Sequence, residues 1–199
     1  ADLVAAAKKE GKVVVYSITS RISNAAVAFE KKYGIKVEAY NHKDGELIEK
    51  VSREVGGNIA GADFVISQDS GRVYGQLIST GYLVNYVPDS MKSVIPAKYQ
   101  NPLVFQYINK VFIFNSEKTS KPVIKNVWEL TEPKWKGLVQ FKDPKLEGVN
   151  QNFLTMLTSP EWSAKLDKAY QDLYGKKLVL TTKNAGYEWI KRFFQNGLI

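Results

Sequence analysis

The sequence predicts an α/β protein in which short parallel strands alternate with helices. In the first half, a short apolar run is followed three times by an amphipathic helical pattern, and glycines end these patterns. The runs are almost wholly apolar, which is typical of strands that helices cover on both faces. The composition, 44% hydrophobic and 24% charged over 199 residues, is that of an ordinary globular protein.

The first half contains these repeats after a short predicted helix at residues 3–10. The predicted strands are residues 12–17, 35–40 and 63–67. The helix after the first strand repeats its apolar residues at i, i+4 and i+7 from Ile22, and it ends at Gly34. The next two helices stop at Gly56 and Gly81.

The second half begins with an irregular stretch, in which Pro88, Pro96 and Pro102 mark loops. Residues 103–115 then form a β-prone run that is too long for an ordinary strand, so we expect it to connect two bodies. The later elements are predicted as a short helix from residue 127, a strand at 138–141, helices at 150–158 and 162–174, a strand at 178–180 and a helix at 184–196. The expected domains are a first lobe at 1–104, a crossover at 105–115 and a second lobe at 116–199.

The composition excludes several kinds of site. The sequence has no cysteine, which rules out disulfides, thiolate zinc sites and cysteine nucleophiles. His42 is the single histidine, so histidine-rich metal sites and Ser-His catalysis are disfavoured. The motifs of nucleophile elbows, phosphate loops and dinucleotide-binding turns are also missing. We therefore expect a protein that is not an enzyme.

The net charge of +8 raises the question of polyanion binding. Lysines are spread over predicted helix surfaces, and glutamates precede them at the helical i,i+4 spacing, as in Glu46 and Lys50. No block of five like charges occurs, and no basic stretch is interleaved with aromatic residues. A solvated surface is therefore the favoured interpretation of the lysines. A module that binds nucleic acid or an anionic surface stays open as an alternative function.

Small polar residues and carboxylates follow each of the first three predicted strands. In open α/β sheets, ligands bind outside the carboxyl ends of the strands, next to helix N-termini. The candidate ligand-binding residues there are Ser17, Thr19, Ser20, Asp44, Gly45, Glu46, Ser67, Gln68 and Asp69. Asp143, Asn150 and Asn152 occupy the matching position after a strand of the second half. Each of these residues could instead cap a helix or complement its dipole.

Several segments together resemble a known family. The first half contains VVVYS, FEKKYGIKV, DGEL and ADFVISQDSG, and the second contains VFIFN, VWELTEPKWKG and FKDP. In this order they are similar to type II periplasmic solute-binding proteins of ABC importers, in the branch of ferric-iron binders and of relatives that take phosphorylated or phosphonate solutes. The resemblance covers nearly the whole chain, and VWELTEPKWKG is its most specific segment.

The resemblance implies two α/β lobes joined by a crossover strand, with the solute held in the cleft between them. It implies an extracytoplasmic protein, in the periplasm or at the cell surface and free or lipid-anchored, that is monomeric at full length. Its partners would be a small-molecule or metal-ion ligand and a membrane-embedded ABC permease, with no nucleic acid. Tyr107 on the crossover is the tyrosine expected to reach the cleft.

Two cargoes are consistent with this resemblance. Ferric iron is favoured as the transported ligand, with no cofactor required, and His42 and Glu46 are then the expected metal ligands of the first lobe. Iron binders of the family also use tyrosines, commonly an adjacent pair, and this sequence contains no Tyr-Tyr. A phosphorylated or phosphonate anion is the alternative, because hydroxyls lie at the expected helix N-termini.

The family pattern also predicts a chain that returns from the second lobe to complete the first. Residues Leu198 and Ile199 look like the beginning of that returning strand. We therefore expect a C-terminally truncated protein, in which further ligands lie beyond Ile199. Unpaired sheet edges in such a fragment would favour association between copies.

Overall fold

A computed structural model describes residues 2–59, 61–106, 109, 111 and 113–197. The chain divides into two compact units. The first consists of Ala1–Tyr107 with Leu146–Gly148, and the second of Ile108–Lys145 with Val149–Ile199.

The first unit is built on a three-stranded parallel sheet. Its strands are β1 (Lys12–Ser17), β2 (Lys36–Asn41) and β3 (Phe64–Ile66), and their order in the sheet is β2-β1-β3. The helices are α1 (Asp2–Glu10), α2 (Ile22–Tyr33) and α3 (Asp44–Gly56), followed by the short α4 (Ser70–Arg72), a π-helix (Val73–Ile78), α5 (Asp89–Lys92) and a 3₁₀ turn (Ala97–Tyr99). Because all three strands are parallel, their carboxyl ends lie at one edge of the sheet, and loops follow them there.

The core of the first unit lies between the sheet and α3. Tyr16 of β1 is buried there with Leu47, Ile48 and Val51 of α3 and with Leu77. These α3 residues recur at the spacing of one helical face, so the amphipathic pattern places that face against the sheet. Successive strand residues point to opposite faces, and the neighbouring Val15 is also buried, so the centre of β1 is covered on both sides.

The outer edge of β2 carries a side-chain hydrogen bond. The backbone N–H of Val37 donates to Glu30 Oε1 of α2 over 2.7 Å. A backbone group at the edge of a sheet is otherwise free to pair with another strand. Glu30 therefore satisfies one such group from within the same unit.

The helix predicted to run from Ser70 to Gly81 differs from expectation. It is one short α-helical turn followed by a π-helix, in which the N–H of Ser79 donates to the carbonyl of Tyr74 over 2.9 Å. The Ser79 hydroxyl bonds the Gly75 carbonyl, and the Thr80 hydroxyl bonds a carbonyl in the same turn. Such side-chain bonds compete with the regular backbone ladder, which accounts for the altered pattern.

The second unit is helical in the residues that the structure describes. It contains two 3₁₀ segments (Val127–Thr131 and Pro133–Trp135), α6 (Gly148–Leu157, apart from its first residue), α7 (Pro160–Tyr174) and α8 (Ala185–Gln195). Its core is aromatic, because Trp128 and Trp189 are fully buried and Trp189 stacks on Phe193 at 4.5 Å. Both indoles are satisfied: Trp128 Nε1 donates to the Leu166 carbonyl at 2.8 Å, and Trp189 Nε1 to the Val127 carbonyl at 3.0 Å.

The prediction of strands at 138–141 and 178–180 is wrong, because neither segment pairs with a strand in the part of the chain described here. A β-prone segment forms a strand only where a neighbour completes its hydrogen bonds. In the later segment, the Val179 carbonyl accepts instead from Arg192 Nη2 at 3.0 Å. The long run at 103–115 likewise forms no strand among its described residues, and Leu103 makes a single bridge to Gln100.

No helix among the described residues is long and apolar enough to cross a membrane.

Candidate functional site

The carboxyl edge of the sheet brings together residues from three separate loops. Ser17 ends β1 and is fully buried, Asp44 begins α3 after β2, and Ser67 follows β3. The N–H of His42 donates to the Ser17 carbonyl at 2.8 Å, which joins the loops after β1 and β2. We call the group formed by Ser17, Asp44, Ser67, Asp69 and Arg72 the strand-end cluster.

Asp44 links the start of α3 to the loop after β3. Ser67 Oγ donates to Asp44 Oδ1 at 2.6 Å, and the N–H of Gln68 donates to the same oxygen at 3.2 Å. Asp44 is only 4% exposed, and its second oxygen, Oδ2, has no hydrogen-bond partner among the residues that the structure describes. A buried acceptor without a partner costs free energy, so Oδ2 is a position where a donor would be stabilising.

Asp69 holds Arg72 in a fixed position. The N–H of Arg72 donates to Asp69 Oδ1 at 3.1 Å, and Arg72 Nε donates to Asp69 Oδ2 at 2.6 Å. Asp69 is 3% exposed, and its own N–H donates to Ser67 Oγ at 3.2 Å. Asp69 therefore caps the short α4, which is the alternative role that the sequence left open for it. The same carboxylate also orients the Arg72 guanidinium.

Arg72 is the member of the cluster that sequence reasoning missed. Its side chain is 36% exposed, and its Nη atoms make no hydrogen bond to another residue of the described ranges. Nη1 lies 4.0 Å from the point where a Cβ would stand at Gly45, so the guanidinium lies beside the first turn of α3. The sequence feature that could have identified Arg72 is its position three residues after Asp69, directly after a strand.

The loop after β1 uses its hydroxyls locally. Ser17 Oγ accepts from the N–H of Thr19 at 3.2 Å, and Thr19 Oγ1 accepts from the N–H of Arg21 at 3.4 Å. Ser20 is exposed. None of the three predicted residues caps α2 through its side chain, because the N-cap of that helix is Arg21, without a side-chain bond. In these two bonds the Ser17 and Thr19 hydroxyls act as acceptors, so each of them can still donate its own hydrogen.

Glu46 is exposed, and its Oε2 accepts from the N–H of Lys43 at 3.3 Å, so it caps the start of α3.

His42 instead lies against the face of the sheet. Its ring packs edge-on against Tyr16 at 5.4 Å and lies nearly parallel to the Tyr40 ring at 6.3 Å. With Lys12, Val14, Glu38, Lys50 and Gly61, these three rings line a pocket of about 370 Å³.

His42 Nε2 is buried without a hydrogen-bond partner among the described residues. Across those residues, no group of three histidine, cysteine or acidic side chains could hold a metal ion. The pairing of His42 with Glu46 as metal ligands therefore stays a prediction, since a ferric ion held by them would require other donors.

A charged pair with a tyrosine borders the same face of the sheet. The Tyr16 hydroxyl donates to Glu54, with both carboxylate oxygens at 3.0 Å, and Lys50 forms an ion pair with Glu54. Burial raises the pKa of the Tyr16 phenol. Burial also acts to raise the pKa of the Glu54 carboxyl. The hydrogen bonds from Lys50 and Tyr16 outweigh this effect and hold the pKa of Glu54 below its ordinary value. Tyr16 is therefore a neutral, buried donor at neutral pH.

Asp143 and Asn150, two of the predicted residues of the second half, have local partners. Asp143 is exposed, and its Oδ1 accepts from the N–H of Lys145 at 2.8 Å, as in a turn. Asn150 is buried and its Nδ2 donates to the Lys142 carbonyl at 3.0 Å. Asn152 lies half-buried in α6. Tyr107, the predicted crossover ligand, lies outside the described residues.

No protein-family model and no curated protein sequence matches the chain. Solved structures do match it. The Trichodesmium protein IdiA (FutA), in complex with iron and citrate, is 19% identical with a TM-score of 0.56, over 95% of this chain and 54% of that one. The ferric binding protein from Campylobacter jejuni is 19% identical with a TM-score of 0.54, over 94% of this chain and 60% of that one.

The chain thus spans between one half and two thirds of the length of these two structures. At this level of identity the likeness concerns the fold. Both matches cover nearly all of this chain. The chain has the mixed α/β fold of the periplasmic-binding-protein-like, type II solute-binding proteins.

Proposed function

We propose that the chain belongs to the extracytoplasmic solute-binding component of an ABC importer, that it takes up ferric iron, and that it delivers the iron to a membrane permease. The observation that carries the proposal is the fold likeness to two solved structures, one in complex with iron and citrate and one named a ferric binding protein. In this proposal iron is the cargo and the protein performs no reaction. An extracytoplasmic position, free or lipid-anchored, and a monomeric full-length protein belong to the same proposal.

The donors at the edge of the sheet support a hard cation as cargo. Asp44 is a buried carboxylate of the strand-end cluster, and Glu46 is an exposed carboxylate in the same first turn of α3. Asp44 Oδ2 has no hydrogen-bond partner within the described ranges. Ferric iron prefers oxygen and imidazole ligands, and these are the donors that a chain without cysteine can supply.

Titration of the 199-residue chain with ferric citrate tests this proposal. We expect quenching of the intrinsic fluorescence, and a visible absorption band if a tyrosine ligates the iron. Glu46→Gln is expected to weaken binding, and Glu49→Gln is the matched control, since Glu49 is exposed on the same helix and lies 3.8 Å from Arg53. The absence of any spectral change with stoichiometric ferric citrate would refute iron binding by this chain.

A phosphorylated or phosphonate anion is the second candidate cargo. One observation favours it, namely the Arg72 guanidinium at the carboxyl edge of the sheet, whose Nη donors have no partner among the described residues. Arginine is well suited to bind phosphate and carboxylate groups through paired donors. Titration with inorganic phosphate tests this candidate directly, and unchanged unfolding curves across the titration would count against it.

A further inference from the structure

We propose that Arg72 is an oxyanion-binding residue at the carboxyl edge of the first unit's sheet. The ligand class is a small oxyanion, which is either the phosphate group of a solute or a carboxylate that accompanies a ferric ion. This inference rests on the proposed function, because it concerns the same solute site. It adds a residue that neither the sequence motifs nor the comparisons assign.

The first argument is that the guanidinium is already held in place. Both oxygens of the buried Asp69 carboxylate are engaged by Arg72, one by its backbone N–H and one by Nε. Asp69 is itself anchored, because its N–H donates to Ser67 Oγ. An arginine fixed in this way loses less side-chain entropy when it binds a ligand than a mobile surface arginine does.

The second argument is the number of donors left over. A guanidinium carries five N–H donors, and the Asp69 side chain uses the one on Nε. The four N–H groups on Nη1 and Nη2 have no protein acceptor within the described ranges, although the side chain is only 36% exposed. Paired Nη donors match two oxygens of a phosphate or carboxylate.

The third argument is the position of the guanidinium next to α3. Nη1 lies 4.0 Å from the Cβ position of Gly45, which has no side chain to cover the first turn of this 13-residue helix. The first backbone N–H groups of a helix carry a partial positive charge. An oxyanion bound by the Nη donors of Arg72 would therefore lie near the positive end of the α3 dipole.

Two carboxylates in that turn oppose the binding of an anion. Asp44 and Glu46 both lie within the first turn of α3. Asp44 also accepts hydrogen bonds from Ser67 and Gln68 through Oδ1, which an asparagine oxygen could continue to accept. Asp44→Asn should therefore remove a negative charge, retain these bonds and tighten the binding of an oxyanion.

The test measures the affinity of the 199-residue chain for inorganic phosphate and, in a second arm, for ferric citrate. Arg72→Gln is expected to weaken phosphate binding about 10- to 100-fold, the usual consequence of losing charge-assisted hydrogen bonds. Arg53→Gln is the matched control, because Arg53 lies on α3, its side chain is 73% exposed, and the charge change is the same. Arg72→Lys should bind with intermediate affinity, because an ammonium cannot hold Asp69 and also offer paired Nη donors.

Arg72→Gln also removes the ion pair with Asp69, so unfolding of each variant without ligand is measured first. A folded Arg72→Gln variant that loses phosphate binding while Arg53→Gln keeps it supports the proposal, and tighter binding by Asp44→Asn supports it further. A loss confined to the ferric citrate arm also supports it, and identifies the carboxylate as the bound oxyanion.

Equal weakening by Arg53→Gln and Arg72→Gln would overturn the inference, because it would show a diffuse basic surface. If ferric citrate binds the unmodified chain and Arg72→Gln changes neither arm, the inference fails while the proposed function stands. If the unmodified chain binds neither probe, both fail.

Discussion

The buried Asp44 carboxylate allows a sharp test of how the strand-end cluster is held together. Its Oδ1 accepts from Ser67 Oγ at 2.6 Å and from the N–H of Gln68 at 3.2 Å. Hydrogen bonds to a charged group contribute about 1.5–3 kcal/mol each, and bonds that share an acceptor are not additive. Asp44→Ala should therefore lower the free energy of unfolding of the first unit by about 2–4 kcal/mol.

Asp44→Asn provides the comparison. An asparagine keeps an acceptor in the place of Oδ1, and it removes the charge from Oδ2, which has no partner among the described residues. We expect its unfolding free energy to stay within about 1 kcal/mol of the unmodified chain. The difference between the two variants therefore isolates the hydrogen bonds from the effect of the charge.

The distribution of tryptophans gives this experiment an internal control. The chain has four tryptophans, and all belong to the second unit: Trp128, Trp135, Trp162 and Trp189. During denaturation by urea, tryptophan fluorescence should follow the second unit, while far-ultraviolet circular dichroism follows both. Asp44→Ala should shift the circular dichroism transition to lower urea and leave the fluorescence transition in place. Equal stability of the alanine variant and the unmodified chain, or equal losses in both variants, would refute the reasoning.

Four further predictions concern the second unit, and urea unfolding followed by tryptophan fluorescence tests each. Glu188 is 2% exposed and accepts four hydrogen bonds, so Glu188→Ala should cost about 3–5 kcal/mol; an unchanged midpoint would contradict this. Burial acts to raise the pKa of Glu188, but its hydrogen bonds hold that pKa below the ordinary value. The contribution of Glu188 to the free energy of unfolding should therefore be present above about pH 4.5 and be lost as the pH falls through the folded-state pKa. Gly186→Ala should prevent stable folding of the unit, because its Cβ would overlap the Leu157 carbonyl oxygen, and a normally stable variant would be evidence against this packing. Tyr174→Phe removes the hydroxyl that donates to Glu132 at 2.8 Å and should cost about 0.5–1.5 kcal/mol, whereas a gain in stability would show that the bond contributes nothing.

The helices and the first sheet could be predicted because their signals are local. The three strands of the first unit and the three long helices of the second lie within a residue or two of the predicted positions, apart from the shorter β3. Apolar periodicity and glycine at the helix ends determine these elements largely from within each segment. The π-helix after Arg72 was not predictable in this way, because it depends on hydroxyl bonds from Ser79 and Thr80 to the preceding turn.

Two strands were predicted wrongly for a related reason. The run at 178–180 is β-prone, but pairing depends on a neighbour that its own sequence does not specify. The position of Ser17, Asp44 and Ser67 at the carboxyl edge of the sheet could be predicted, because that edge is a property of the fold class, and ligand binding there stays a prediction. Arg72 was missed although Asp69 lies only three residues before it, because the position of the guanidinium beside Gly45 arises only in the folded chain.

The bond between Glu30 and Val37 protects the outer edge of β2 against pairing with another strand. Another strand that approached β2 would have to displace a 2.7 Å hydrogen bond to a carboxylate before it could use that N–H group. Edge-to-edge joining of two copies through β2 therefore begins with an energetic penalty. Glu30→Ala should remove this barrier, and the chain would then gain a tendency to form extended β-assemblies at its β2 side.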